Sequence, residues 1–351
     1  MSPSGKARVR ESPRIGVIVY RILLGGVAAA ACGVAAVVAA TGGGGSAGTA
    51  STTEWTAGTP SPAPGRTEVG AARIGDGIYV LGGFRPAGTS GAVTGEVRRY
   101  DIGDDSWTLV KELPIPVHHP GVTAYAGRLY VHGGYTTNGF SNPTGALQRY
   151  NPETDEWKQR SPTVRPRAAN TLIALNGRLY TVGGVRPGSG GPLASMSNYN
   201  IAKDKWRSGP HMSVPREHLT GVALDGRIFV IGGRRNPGGM NLRAFERYNP
   251  ATGDWKRLPN LLVRRSGIAS ATAHGKIVVF GGEELAEGDE TIEEVEVYDR
   301  PSKEWSFLPD MLTPRHGLGG ASYQGRLFAL EGGPMPAFSF SNALEYLDVS
   351  G

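Results

Sequence analysis

Arginine and histidine recur at one place in six stretches of the sequence. These are GRTE with Arg66, PVHHP with His118 and His119, RPRAAN with Arg167, PREHLT with Arg216, Glu217 and His218, VRRSG with Arg265, and TPRHG with Arg315 and His316. A guanidinium presents a planar fork of donors that matches a carboxylate, and histidine exchanges protons near neutral pH. The set suits a carboxylate ligand, a sugar acid or an acidic peptide. Tyr135, Arg186, Arg234, Arg235 and Glu283, each just after a pair of glycines, extend it. Arginine at a fixed place in five of the six stretches also fits a packing role, paired with backbone carbonyls or carboxylates. His118, His119 and His218, where the stretches disagree, point more to function. Metal ligands must converge within bonding distance, and side chains carried on separate units around an open channel are expected not to. No metal and no cofactor is therefore expected.

The one cysteine, Cys32, excludes an intramolecular disulfide, a multi-cysteine metal cluster and a cysteine nucleophile in the body of the chain. The formal charge of +6 is mostly a leader effect, because Lys6, Arg8, Arg10, Arg14 and Arg21 stand against Glu11 in residues 1–21. The near-neutral remainder lacks the clustered basic surface that nucleic acid requires, so no nucleic-acid partner is expected. Residues 22–40, ILLGGVAAAACGVAAVVAA, carry no charge and would span about 28 Å as a helix. With the basic flank before them they set the remainder outside a membrane. Both a retained membrane anchor and a signal peptide cut after Val38-Ala39-Ala40 fit this segment. The protein is expected to be exported, membrane-anchored facing outside or secreted. Residues 41–53, rich in Gly, Ser and Thr, read as a linker.

The excess of glycine, 53 of 351 residues, is periodic. Paired glycines end an apolar run six times, at Gly83, Gly134, Gly184, Gly233, Gly282 and Gly333. Behind five of them a Tyr is followed seven residues later by a Trp: Tyr100 and Trp107, Tyr150 and Trp157, Tyr199 and Trp206, Tyr248 and Trp255, Tyr298 and Trp305. Each unit reads as four short strands, with turns such as Asn176-Gly177 and Asp225-Gly226 that favour two-residue hairpins. Units this small must stack to bury both faces, and six of them arranged radially make a β-propeller. The sixth unit lacks a Trp, and Trp55 stands before Gly82 at the spacing the other tryptophans keep. Residues near 54–58 are thus expected to supply the outer strand of the last blade.

The glycine pair, Tyr and Trp at this period resemble the Kelch repeat, over about residues 54–348. The expected fold is all-β, a six-bladed Kelch-type propeller over residues 54–350, closed by an N-terminal strand and preceded by one transmembrane or signal helix. Kelch substrate adaptors grip peptides at the loop rim, so the resemblance implies an interaction module for a protein or glycan there. Exported sugar-acid epimerases resemble the chain in blade number and compartment, and give the alternative of an enzyme with an Arg/His/Glu rim site. Galactose oxidase shares the architecture, but its copper chemistry needs a crosslinked Cys, and Cys32 lies in the leader. The acidic run EELAEGDETIEEVE at 283–296 is expected to be a solvated loop.

Overall fold

The computed structural model describes residues 54–349, apart from Thr89, 189–190, 236–238 and 287. The expectations for the leader, the apolar segment and the linker fall outside the described residues. Among those described there is no helix long and apolar enough to cross a membrane, and every regular element is a β-strand.

Six four-stranded antiparallel sheets follow in chain order. The first blade comprises Gly70–Ile74, Gly77–Leu81, Val97–Asp101 and Ser106–Val110, and the second begins with Gly121–Tyr125 and Arg128–His132. Blades three to six open with the inner strands Thr171–Leu175, Thr220–Leu224, Ala269–Ala273 and Gly319–Tyr323. Each inner strand packs on the next, and the sixth packs on the first, closing a ring around a channel.

Strand alternation explains why this ring buries its core. In the second strand of blade one, Ile78 and Val80 face blade six while Tyr79 and Leu81 face blade two. Each of the six junctions accordingly holds its own apolar cluster. The tryptophans fasten the outer edge. Trp107, Trp157, Trp206, Trp255 and Trp305 each donate Nε1–H to a carbonyl of the preceding blade, at Thr59, Lys111, Ser161, Pro210 and Pro259. Trp55 does the same to Pro309, and the strand Thr56–Ala57 pairs with Leu344–Asp348, so the N-terminal strand completes blade six.

One repeat is displaced from its expected register. Leu330 pairs with Gly319 as Leu81 pairs with Gly70, which puts Glu331 and Gly332, not Gly332 and Gly333, at the places of the glycine pair. Gly332 N–H donates to the carbonyl of Arg66, as Gly134 N–H does to that of Arg167. Glu331 takes the left-handed conformation there, with φ of 56°.

Candidate functional site

Where the chain enters each inner strand, one residue per blade stands at the mouth of the channel: Glu68, His119, Ala169, His218, Gly267 and Gly317. All six have positive φ, between 52° and 65°. Their backbones form a closed ring. His119 N–H donates to Glu68, Ala169 to His119, His218 to Ala169, Gly267 to His218 and Gly317 to Gly267, at 2.8–3.0 Å, and Val69 N–H returns to Gly317 at 3.1 Å. Glycine adopts this conformation freely, whereas Glu and His hold it at a cost of about 1–3 kcal/mol each. Strained side chains of this kind cluster at functional sites.

Two further rows surround the ring. The residues just before it are Thr67, His118, Ala168, Glu217, Ser266 and His316. Each forms a backbone bridge to the residue after the glycine pair: Phe84, Tyr135, Val185, Arg234, Glu283 and Gly333 respectively. Chemistry-bearing side chains from these rows meet at one side of the mouth. Gly317 permits this, since a Cβ there would lie 2.7 Å from the carboxyl carbon of Glu68. Ala169, Gly267 and Gly317 bring no polar side chain to the ring, and a cavity of about 90 Å³ at the mouth is lined in part by Glu68, His119 and His218.

The hydrogen bonds fix the proton positions. His118 Nε2 lies 2.9 Å from the Thr137 carbonyl and so carries hydrogen, which leaves its Nδ1 to accept from His119 Nδ1 at 2.6 Å. His119 then turns a bare Nε2 toward Glu68 Oε2, 3.1 Å away. On the other flank Glu217 accepts from His218 Nδ1 in a very short contact and from Arg234 Nε at 2.6 Å. Arg234 also donates to Glu283 Oε1 at 2.8 Å. His316 Nε2 sits 3.6 Å from Glu68 and 3.7 Å from Glu283.

Burial pushes the Glu68 carboxyl up, partly opposed by His218 and His316. Burial holds the His118 imidazole at about 4 and His119 well below its usual range. For Glu217 burial is outweighed by His218 and Arg234, which bring it down to about 2. The same competition, won by His316 and Arg234, holds Glu283 below the ordinary carboxylate range. Burial lifts the Tyr135 hydroxyl to about 12.

Aromatic rings cover the histidine flank. His118 is sandwiched between Phe84 and Tyr135, at centroid distances of 3.8 and 5.0 Å. Phe140 and Phe338, from loops of blades two and six, meet at 6.2 Å over Phe84 and are 53% and 44% exposed. Met335 is exposed on the same loop as Phe338, and Met240 on the corresponding loop of blade four.

Of the residues singled out in the sequence, His118, His119, Tyr135, His218, Arg234 and His316 come together here. Arg66, Arg167, Arg216, Arg265 and Arg315 do not, for they lie one row deeper and are fully buried. Their guanidinium groups donate to backbone carbonyls at Gly82, Gly183, Val230, Gly281 and Ala329. Four also pair with carboxylates, Arg216 with Glu246, Arg265 with Glu296, Arg315 with Glu345 and Arg66 with Glu331. Arg186 and Arg235 point to solvent. The expectation that ligand-type side chains on different blades stay apart is overturned: ligand atoms of Glu68, His119 and His218 all lie within 4.8 Å of one another. The acidic run also departs from a solvated loop, since Glu283, Glu284 and Glu296 are buried. Sequence reading missed Glu68, two residues after Arg66 in GRTE, and the aromatic cover. Glu68 leaves no periodic signal, because its counterparts in the ring include Ala169, Gly267 and Gly317.

The sequence matches the profile of the KLHDC2/KLHL20/DRC7 Kelch-repeats domain over residues 48–233, more than half of the chain. The Kelch motif matches at 215–262 and 264–312. Kelch repeat and BTB domain-containing protein 12 of Danio rerio is 29% identical over 131 residues, 36% of this chain and 21% of that protein. Kelch-like protein terF of Aspergillus terreus is 32% identical over 125 residues, 34% of this chain and 27% of its own length. The chain thus spans about a quarter or less of these relatives. The solved structure of YjhT superposes with a TM-score of 0.68 at 15% identity, covering 84% of this chain and 97% of the other, a likeness of fold.

Proposed function

The chain belongs to the Kelch-repeat β-propeller family, whose propellers act in general as protein-interaction modules, and from that premise we propose that it binds a protein partner outside a membrane through the face bearing Phe140 and Phe338. The exposed aromatic pair carries this reading. Two large rings held against each other in water cost solvation that only an apolar partner repays, and aromatic side chains are the commonest anchors of protein interfaces. Arg234, Glu217 and Glu283 beneath them pair among themselves, so the apolar rim supplies affinity and the recessed charges supply register. The side of the membrane rests on the basic flank and apolar run of residues 1–40.

The test is partner capture by in-cell photocrosslinking from the loop face, with Phe140→Ser/Phe338→Ser compared against Leu109→Ser/Phe307→Ser, which alters exposed rings and chains on outer strands instead. Loss of a crosslinked protein in the first pair alone is expected. Equal loss in both would place docking on the blade edges and sink the proposal. A glycan would stack on the same two rings, and free oligosaccharide competing for the face would replace the protein reading. For location, Thr154→Cys adds a thiol to an exposed turn, and a membrane-impermeant maleimide should label it on intact cells.

A further inference from the structure

We propose that Glu68, His119 and His218 form a binding site for one divalent transition-metal ion, zinc or a metal of similar ligand preference, at the channel mouth. Three observations carry it. The first is convergence, with ligand atoms from three different blades within 4.8 Å of one another. Donors bonded to one zinc at about 2.0–2.1 Å lie no more than about 4 Å apart. His119 and Glu68 already meet this at 3.1 Å, and a small turn of His218 closes the set.

The second is that both imidazoles are prepared as ligands. A metal-binding histidine characteristically gives its other ring N–H to an acceptor that fixes tautomer and orientation. His119 gives Nδ1–H to His118, which is itself anchored on the Thr137 carbonyl, and His218 gives Nδ1–H to Glu217. Each is left with a bare Nε2. Arg234 NH2 lies 3.1 Å from Nε2 and 3.3 Å from Nδ1 of His218, against the ring and off the Nε2 lone-pair axis, where the two distances would be far apart.

The third is charge. Glu68, Glu217 and Glu283 face each other in a buried cluster that also contains His118, His119, His218 and His316, with Arg234 as the guanidinium among them. Arg234 donates to both Glu217 and Glu283, whereas the polar neighbours of Glu68 are the imidazoles of His119 and His316, so a divalent cation supplies the counter-charge that a buried carboxylate needs. Two nitrogens and one oxygen suit zinc and its neighbours better than calcium or magnesium. The cavity of about 90 Å³ at the same three side chains has room for the water that an incomplete protein ligand set requires.

The experiment titrates chelator-treated full-length protein, in mild detergent, with zinc by calorimetry and with cobalt by visible absorption. One equivalent is expected, with cobalt giving the intense bands of a low-coordinate site. His119→Asn and His218→Asn, chosen because Asn tolerates positive φ, should weaken binding at least 100-fold. Glu68→Gln should weaken it about 10-fold while keeping the shape of the side chain. His211→Asn, on an exposed histidine, should bind as the parent does. Circular dichroism of each variant without metal checks the fold, and Glu68→Gln serves if a histidine variant is unstable. No binding by the parent protein, or binding that these variants leave unchanged, overturns the site.

Discussion

His132 shows how a single residue departs from its repeat. It occupies the place held by Leu81, Val182, Ile231, Phe280 and Leu330 in the other blades. The imidazole is fully buried against Trp206, and neither ring nitrogen has a partner. Burial holds it at about 3, with the positive charge of Arg167 adding to the effect. The native ring is therefore neutral, while the unfolded ring takes a proton below about 6.5. Stability contributed by that neutrality is complete above the unfolded value and is lost as pH falls toward 3. His132→Leu should gain about 1–3 kcal/mol at pH 7, the cost of the unpaired buried nitrogens, and its advantage should widen from pH 7 to pH 4. Urea melts across that range check both, and an advantage that stays flat with pH would deny the titration. The same residue-level alignment explains what was legible in the sequence. His118, His119 and His218 stood out because the stretches disagree at those places. The arginines recur because five of the six blades tie their own carbonyls with one, blade two carrying Val117 at that place, and that need has nothing to do with a ligand. Glu68 was hidden because its partners in the ring are Ala169, Gly267 and Gly317, and only backbone register shows that these small residues and His119 occupy equivalent places.

Between blades one and six, a charge has been moved from one element to another. In blades four to six the third strand supplies a glutamate, Glu246, Glu296 or Glu345, to the buried arginine of the same blade. Blade one carries Arg98 at that place, so two buried guanidinium groups, Arg66 and Arg98, meet there. Glu331 answers both, at 2.8 and 2.9 Å, from the place just after the second strand of blade six. This is why the sixth unit reads Leu-Glu-Gly-Gly, and why counting glycine pairs along the sequence slips by one residue there. The four-stranded units, the hairpins and the Tyr and Trp places were legible because they recur. The slip was not, since an exchange of charge between elements distant in sequence leaves no periodic trace. Glu331→Gly restores the glycine pair, leaves Arg66 with backbone carbonyls and Arg98 with Glu96 as its carboxylate, and removal of one partner from a buried ion pair costs about 3–5 kcal/mol. Adding Arg98→Glu returns the carboxylate to the place used in blades four to six, so the double variant should recover more than half of the loss. Chemical denaturation of the four proteins of this cycle measures the coupling, and additive losses would show that the two sites do not share a charge.

For the whole molecule, closure decides whether six similar blades act as one. Each blade touches only its neighbours, and an open array of such units unfolds from its ends. Here the first described strand, Thr56–Ala57, lies in the sheet of the last, Leu344–Asp348, so the ring has no end. The seam starts at two paired residues, with Trp55 against Phe280 at 5.8 Å and its indole bonded to Pro309, and runs on through backbone hydrogen bonds from Gly58 to Leu344, Ser61 to Asn342 and Arg66 to Ser341. The candidate site depends on it, because Glu68 and His316 come from the two blades at either side of the seam and meet across it. Trp55→Ala removes a buried indole from the junction of blades five and six, a loss of about 3–5 kcal/mol. Were this only a local cavity, all blades would lose protection together through the lowered global stability. Because Trp55 holds the closing strand, hydrogen exchange should instead quicken first in Leu344–Asp348, with the strands of blades two to four still protected. The same opening bares the edge of Leu344–Asp348 to pairing with another molecule, so light scattering should show concentration-dependent association of the variant below its melting temperature. Uniform exchange and a monomeric variant would mean that Trp55 does not hold the closing strand. Trp305→Ala, the change of a buried indole in a covalently continuous blade, provides the comparison: it should cost similar stability without favouring either the seam or association.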